Sequence, residues 1–358
     1  MNSAADGQQA TFREIYNQAI ASEQTVSRHQ DRLTQFEKLL PLDSYTDIIL
    51  TGCGSSYNLA RCVAFAWTLL LERPVSGIAA SELMNFPERY LSAGSRPLVI
   101  AISRTGGTTE VLLAVERLRA DYGGAALAVT CQANSPIGNI CDEEMAFDEC
   151  LEESIVMTQA FTSMLLGLYL LGDGAAKGSY NSQLAAAPNL IGRNLACSEA
   201  IVRPLAENPG VNQFFFLGSG PMKGLADECA LKMTEMALAV AAGYRLLEFR
   251  HGPKAALNAE SLTVLFPTAP EDPHLETLLG EIGETGSKNL IVGRRVGDKM
   301  PTDSKRVLSL GFDDNLPDFF RPVLYAHIGH LLAYFRAQAL NINPDCPRHL
   351  ARTVLLNR

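Results

Sequence analysis

Glu228, Lys232 and Glu235 stand four and three residues apart in a stretch whose other members are mainly apolar, among them Leu225, Ala226, Cys229, Leu231, Met233 and Met236. If that stretch is helical, the spacing puts all three charges on one face. A carboxylate on an otherwise apolar helix is drawn towards its protonated form by loss of solvent, which suits a general base. The same spacing also fits an exposed Glu–Lys pair worth about 0.2–0.5 kcal/mol. Further on, His251 precedes Gly252 and Pro253. That run cannot lie inside a helix, so the imidazole sits on a loop or cap, where it can exchange protons near neutral pH.

A second set of residues suits an anion. Ser103-Arg104-Thr105-Gly106-Gly107-Thr108 follows the apolar run at 97–102 and opens a helix. Glycines let the backbone bend towards a ligand, the helix start offers unpaired N–H groups, and three hydroxyls add donors. The combination fits a phosphate monoester. It lacks the Gly-Lys-Ser/Thr of a P-loop, and no GxGxxG with a ribose-binding acid marks a dinucleotide site. Ordinary helix-capping residues make a similar pattern. A second loop, Gly52-Cys53-Gly54-Ser55-Ser56, favours the ligand, because it ends a neighbouring strand and would meet the first at one edge of a parallel sheet.

Strands and helices must alternate to position these loops. Apolar runs at 46–51, 97–102 and 125–130 predict three strands, the short stretch at 75–79 takes no assignment, and helices are expected over 11–41, 58–71, 81–89 and 111–119. The second half repeats the order: strands at 212–217, 262–266 and 289–293, and a long helix over 224–242. The same interval separates Gly52 from Gly218 and Ser103 from Ala269. The expected fold is α/β, with two tandem doubly wound parallel sheets of the flavodoxin type. Gly172, Gly174 and Gly178 mark the connection between the halves. The loop Pro267-Thr268-Ala269-Pro270 keeps a single hydroxyl, Thr268, where its counterpart has three, so one site is expected, mainly on the first half.

Composition narrows the class. The 358 residues carry 30 Lys and Arg against 39 Asp and Glu, a net charge of −9. No basic stripe offers itself to nucleic acid. The eight cysteines form no CxxC pair, which reads as reduced, buried thiols of a cytoplasmic protein. His327 and His330 lie three apart, but without further clustered ligands no metal site is expected. The apolar runs at 62–71 and 163–171 are too short for a membrane span, and the polar first residues predict no leader.

On the stretches 52–56, 103–110, 152–162, 228–235, 248–253 and 343–354, in that order, the chain resembles the sugar isomerase (SIS) family. It resembles especially the isomerase half of glucosamine-6-phosphate synthase and its relatives, among them deaminases, ketose/aldose isomerases and fructosamine-phosphate deglycases. The resemblance implies that Ser56, Ser103, Thr105 and Thr108 bind phosphate, with Gly54 and Ser55 in the same loop and Arg104 as added charge. It makes Glu235 the carboxylate that moves a proton between C1 and C2, Lys232 and Glu228 its supports, and His251 a ring-opening group lent by the partner in a homodimer. Thr158 falls in a substrate-binding segment, where Met157 replaces the synthase's serine. Ala351 and Arg352 fall in the closing tail. Arg352 takes the place of the synthase's lysine, and a guanidinium cannot form an imine.

The resemblance divides the chain into a helical segment at 1–30, SIS domains at 31–175 and 201–342, a helical connection at 176–200 and an active-site tail at 343–358. The expected activity is aldose–ketose isomerisation of an amino-sugar or ketose phosphate, with deamination as a neighbouring outcome and no cofactor. No glutaminase domain is recognised, which disfavours ammonia-transferring synthase activity. Fructosamine-6-phosphate deglycase and non-catalytic sugar-phosphate sensor are the alternatives. The sensor is disfavoured by the presence of Glu235 and His251.

Overall fold

A computed structural model describes residues 9–29, 42–268, 273–295 and 307–356. The chain divides into two compact units, Asn17–Pro188 with Arg348–Arg358, and Met1–Tyr16 with Asn189–Pro347. Helix α1 (Ala10–His29) contributes residues to each. It covers the first part of the helix predicted over 11–41, whose remainder lies outside the described residues.

The first unit runs β1 (Asp47–Gly52), α2 (Ser55–Leu70), β2 (Val75–Ala79), α3 (Ala80–Asn85), β3 (Pro97–Ile102), α4 (Thr109–Tyr122), β4 (Ala125–Thr130), β5 (Glu143–Ala146) and α5 (Gln159–Ala175). Its strands are parallel in the order β2-β1-β3-β4-β5. Side chains alternate between the two faces of a strand. Ile49, Val99, Ala101, Ala126 and Ala128 accordingly pack with Leu83 of α3 and Val111, Val115 and Leu118 of α4. Burying each Val, Leu or Ile contributes about 1.5–3 kcal/mol, which is why β3 is apolar at every position. Elsewhere in the unit the Trp67 indole of α2 donates to the Leu168 carbonyl of α5 at 2.8 Å.

After α6 (Asn181–Ala206), the second unit runs β6 (Gln213–Gly218), α7 (Met222–Ala237), β7 (Val240–Tyr244), β8 (Ser261–Phe266), α8 (Pro273–Gly283), β9 (Lys288–Arg294), β10 (Val307–Phe312) and α9 (Pro322–Ala339). Its sheet, β10-β9-β8-β6-β7, is also parallel and repeats the first in the same relative order. Two doubly wound α/β sheets are thus present, as the duplicated pattern predicts.

Several local expectations differ from the structure. The helix predicted over 224–242 stops at Ala237, because Leu238 turns left-handed (φ 52) and the following small residues pair with β6 as β7. The helix predicted over 81–89 breaks before Pro87, which starts a separate short turn. Helix α5 continues through Gly172 and Gly174, although glycines so placed predict a connection. Strands β5 and β10 were not anticipated; β5 reads Glu-Glu-Met-Ala, too polar for an apolar-run criterion. Ala269 and Pro270 lie outside the described residues. Buried thiols are found at Cys62, Cys131, Cys150 and Cys229, but Cys53 and Cys141 are half-buried, and Cys197, on the long helix α6, and Cys346, in the tail, are exposed. Among the described residues no helix is long and apolar enough to cross a membrane.

Candidate active site

In the first unit the two hydroxyl-rich loops leave the C-terminal ends of the adjacent strands β1 and β3. This is the crevice where a doubly wound sheet with this strand order receives ligands. Gly54 (φ 53) turns the chain into α2, so that Ser55 and Ser56 occupy its buried first turn. The Cys53 thiol beside them is pushed up to about 12 by burial and then by Glu110, and so stays protonated at neutral pH.

The 103–108 turn is held from behind. Ser103 Oγ lies 3.0 Å from Thr108 Oγ1, and the Gly106 N–H donates to the Ser103 carbonyl at 3.0 Å. Gly106 is left-handed (φ 67), and a Cβ there would lie 2.3 Å from that of Ser135. Ser135 cannot easily retreat, because its hydroxyl bonds Glu144 Oε1 at 2.5 Å and receives the Gly138 N–H at 3.1 Å. The Cys131 N–H reaches the Arg104 carbonyl at 2.9 Å, and the Ile137 N–H reaches the Gly106 carbonyl at 2.9 Å. The polar strand β5, through Glu144, therefore helps to shape the turn.

Arg104 itself is committed elsewhere in the unit. Its guanidinium donates to Glu152 Oε2 at 2.9 Å and to the carbonyls of Ser154, Ile155 and Val156. Glu152 also accepts from the Thr158 N–H at 2.6 Å and the Thr158 hydroxyl at 3.0 Å, which places Thr158 at the start of α5. The tail comes to the same loops. Arg352 bonds the Glu153 carbonyl, Thr353 Oγ1 bonds Thr105 Oγ1 at 2.9 Å, and the Thr109 N–H reaches the Val354 carbonyl at 3.4 Å. Ala351 and Arg352 are exposed. Thr353 was not singled out from the sequence; its neighbour Arg352 was the available signal.

In the second unit, α7 carries Glu228, Lys232 and Glu235. Lys232 is fully buried, 3.4 Å from Glu228 Oε1 and 2.5 Å from Glu235 Oε2. Glu228 is buried as well, whereas the Glu235 side chain keeps 20% of its surface exposed. The solvent-facing alternative for this spacing is therefore ruled out. Packing of α9 explains the burial: Gly329 lies so close to α7 that a Cβ there would sit 2.5 Å from Cys229 Sγ. Next to it, His330 is held well below its ordinary pKa by burial and then by the Lys232 charge. His251 is exposed, between the short turns Glu248–Arg250 and Pro253–Ala256, as its Gly-Pro sequel requires.

These features define a parallel α/β protein with a hydroxyl- and glycine-rich turn at a strand switch and a buried charge cluster on a helix. Residues 43–172, which hold the first sheet, match the SIS domain family. It is 28% identical to the glutamine–fructose-6-phosphate aminotransferase (isomerizing) of Chlamydia pneumoniae over 96% of this chain. The chain spans 58% of the length of that relative. Among solved structures, glucosamine-6-phosphate deaminase from Thermotoga maritima superposes with a TM-score of 0.76 at 29% identity, covering 97% of this chain and all of that one. The tagatose-6-phosphate ketose/aldose isomerase of Escherichia coli shares the fold, with a TM-score of 0.85 at 21% identity and 96% coverage of both chains.

Proposed function

We propose that this chain is a phosphosugar isomerase that moves a proton between C1 and C2 of an amino-sugar or ketose phosphate. The observation that carries this reading is the α7 cluster, in which a partly exposed carboxylate, Glu235, is paired to a buried lysine. A carboxylate needs both a fixed position and access to substrate to act as a base. The buried Lys232 supplies the first, and the residual exposure of Glu235 supplies the second.

In this reading the 103–108 turn and Ser56 take the phosphate, and His251 assists ring opening. Glu235 then removes the proton beside the carbonyl or imine and returns it to the adjacent carbon through an enediol or enolamine. With an amine at C2, the product is a ketimine, and water releases ammonia and the ketose phosphate. The 29% identity to a glucosamine-6-phosphate deaminase favours that amino-sugar outcome. Arg352 forms no imine and serves to anchor the tail or an oxygen of the substrate.

Purified protein given glucosamine 6-phosphate or galactosamine 6-phosphate should release ammonia and ketose phosphate in equal amounts. No turnover of either, in a protein that folds, would sink the reading. We place the enzyme in the cytoplasm, as a homodimer in which His251 serves the neighbouring copy. Mixing inactive Glu235→Gln and His251→Asn proteins should then restore about a quarter of the activity, one intact site in each mixed dimer. A mixture that stays silent would remove the shared histidine.

A further inference from the structure

Arg104 is the guanidinium of the phosphate-binding turn, yet its bonds run to another segment of the unit. One nitrogen donates to Glu152 Oε2 at 2.9 Å and to the Ser154 and Val156 carbonyls at 3.4 and 3.1 Å, and another donates to the Ile155 carbonyl at 2.6 Å. A planar fork of five N–H groups can span such a set, whereas a point charge cannot. The Arg104 side chain is 10% exposed and that of Glu152 is not exposed at all. Glu152 Oε1 is taken by the Thr158 N–H and hydroxyl and by the Ala160 N–H at 3.2 Å, at the positive end of α5.

We infer that Arg104 and Glu152 are a positioning pair, which fixes the spacing between the phosphate-binding turn and the 152–158 segment, and that Arg104 is not a phosphate ligand. This rests on the proposed function. Swinging Arg104 towards a phosphate would strand a buried carboxylate without its counter-ion, a cost larger than one added anion contact returns. The phosphate is left to Ser56 and to the N–H groups and hydroxyls of the turn, and the sugar to the segment that the pair holds at a set distance. Small errors in such a distance weaken every contact that depends on both ends at once.

Two probes separate positioning from ligation. Inorganic phosphate needs only the turn and Ser56, and fructose 6-phosphate needs the 152–158 segment as well. Calorimetry would compare the wild type with Arg104→Lys, Arg104→Met, Glu152→Gln and the Arg104→Met/Glu152→Gln double variant. A positioning pair predicts that each variant weakens fructose 6-phosphate by about tenfold and inorganic phosphate by less than about twofold. The lysine variant should fail to rescue, and the double variant should be no worse than either single one. Should Glu152→Gln not fold, Arg104→Lys alone still reads both affinities. Wild-type affinity in Arg104→Lys, with equal losses for both probes in Arg104→Met, would make Arg104 a ligand and overturn the inference while leaving the isomerase reading intact. A wild type that binds neither probe would overturn both.

Discussion

Lys232 Nζ lies 2.5 Å from Glu235 Oε2, with the lysine fully buried and the carboxylate at the boundary between protein and solvent. The two residues are one turn apart on α7, so their contact follows from helix geometry. The asymmetry in their exposure does not. It comes from α9, whose Gly329 lets it press against Cys229 on the same helix.

Replacing the base without changing its shape should separate chemistry from binding. Glu235→Gln is expected to lower kcat by about 100-fold to 10,000-fold. Its affinity for a sugar phosphate should stay within about twofold of wild type, since the loops proposed to take the phosphate are on other elements. Steady-state kinetics beside calorimetry would show this; full turnover in the variant would dismiss Glu235 as the base.

Removing the buried cation should act on stability. Lys232→Met leaves Glu228, itself 1% exposed, without its counter-charge. Breaking one partner of a buried pair costs about 3–5 kcal/mol. Urea denaturation should therefore shift to a lower midpoint, and the Glu228→Leu/Lys232→Met double variant should recover a large part of the loss. A single variant as stable as wild type would mean that the pair is already solvated.

Gly106→Ala tests the turn. The left-handed backbone alone costs an alanine about 1–2 kcal/mol, and the new methyl meets Ser135, which Glu144 holds in place. Binding of inorganic phosphate should weaken at least about tenfold. Unchanged affinity would place the anion elsewhere.

Stability should also fall in acid through α9. His327 is buried and lies 2.8 Å from Ser198 Oγ, and burial lowers its pKa from 6.5 to about 3. Between those values the unfolded chain takes a proton that the folded chain refuses. Stability is therefore intact above about pH 6.5 and declines as pH falls towards 3, by about 1.4 kcal/mol per pH unit for one such group. His327→Gln should flatten part of this limb in denaturant titrations at several pH values. His330, also shifted down by burial, keeps the remainder. Identical limbs in the two proteins would exclude His327 as a source.

Much of the fold was legible because it is written in local runs. The apolar hexapeptide 97–102 is a strand buried at every position, and the equal intervals from Gly52 to Gly218 and from Ser103 to Ala269 announce two sheets of one topology. The same holds for the 103–108 turn, whose glycines and hydroxyls are contiguous, and for the placing of Glu228, Lys232 and Glu235 on one face, which needs only the period of a helix.

Tertiary structure decided the rest. The end of α7 depends on Leu238 turning left-handed so that 240–244 can pair with β6, and nothing in an alanine-rich run signals that. The burial of Lys232 depends on α9. The allegiance of Arg104 depends on Glu152, far along the chain, and on three carbonyls that face it only once the 152–158 segment has folded. Spacing along the chain determines which side chains share a face, because backbone geometry is local. Which charges are desolvated, and by which partner they are neutralised, is set by contacts between distant segments, and these exist only in the folded chain.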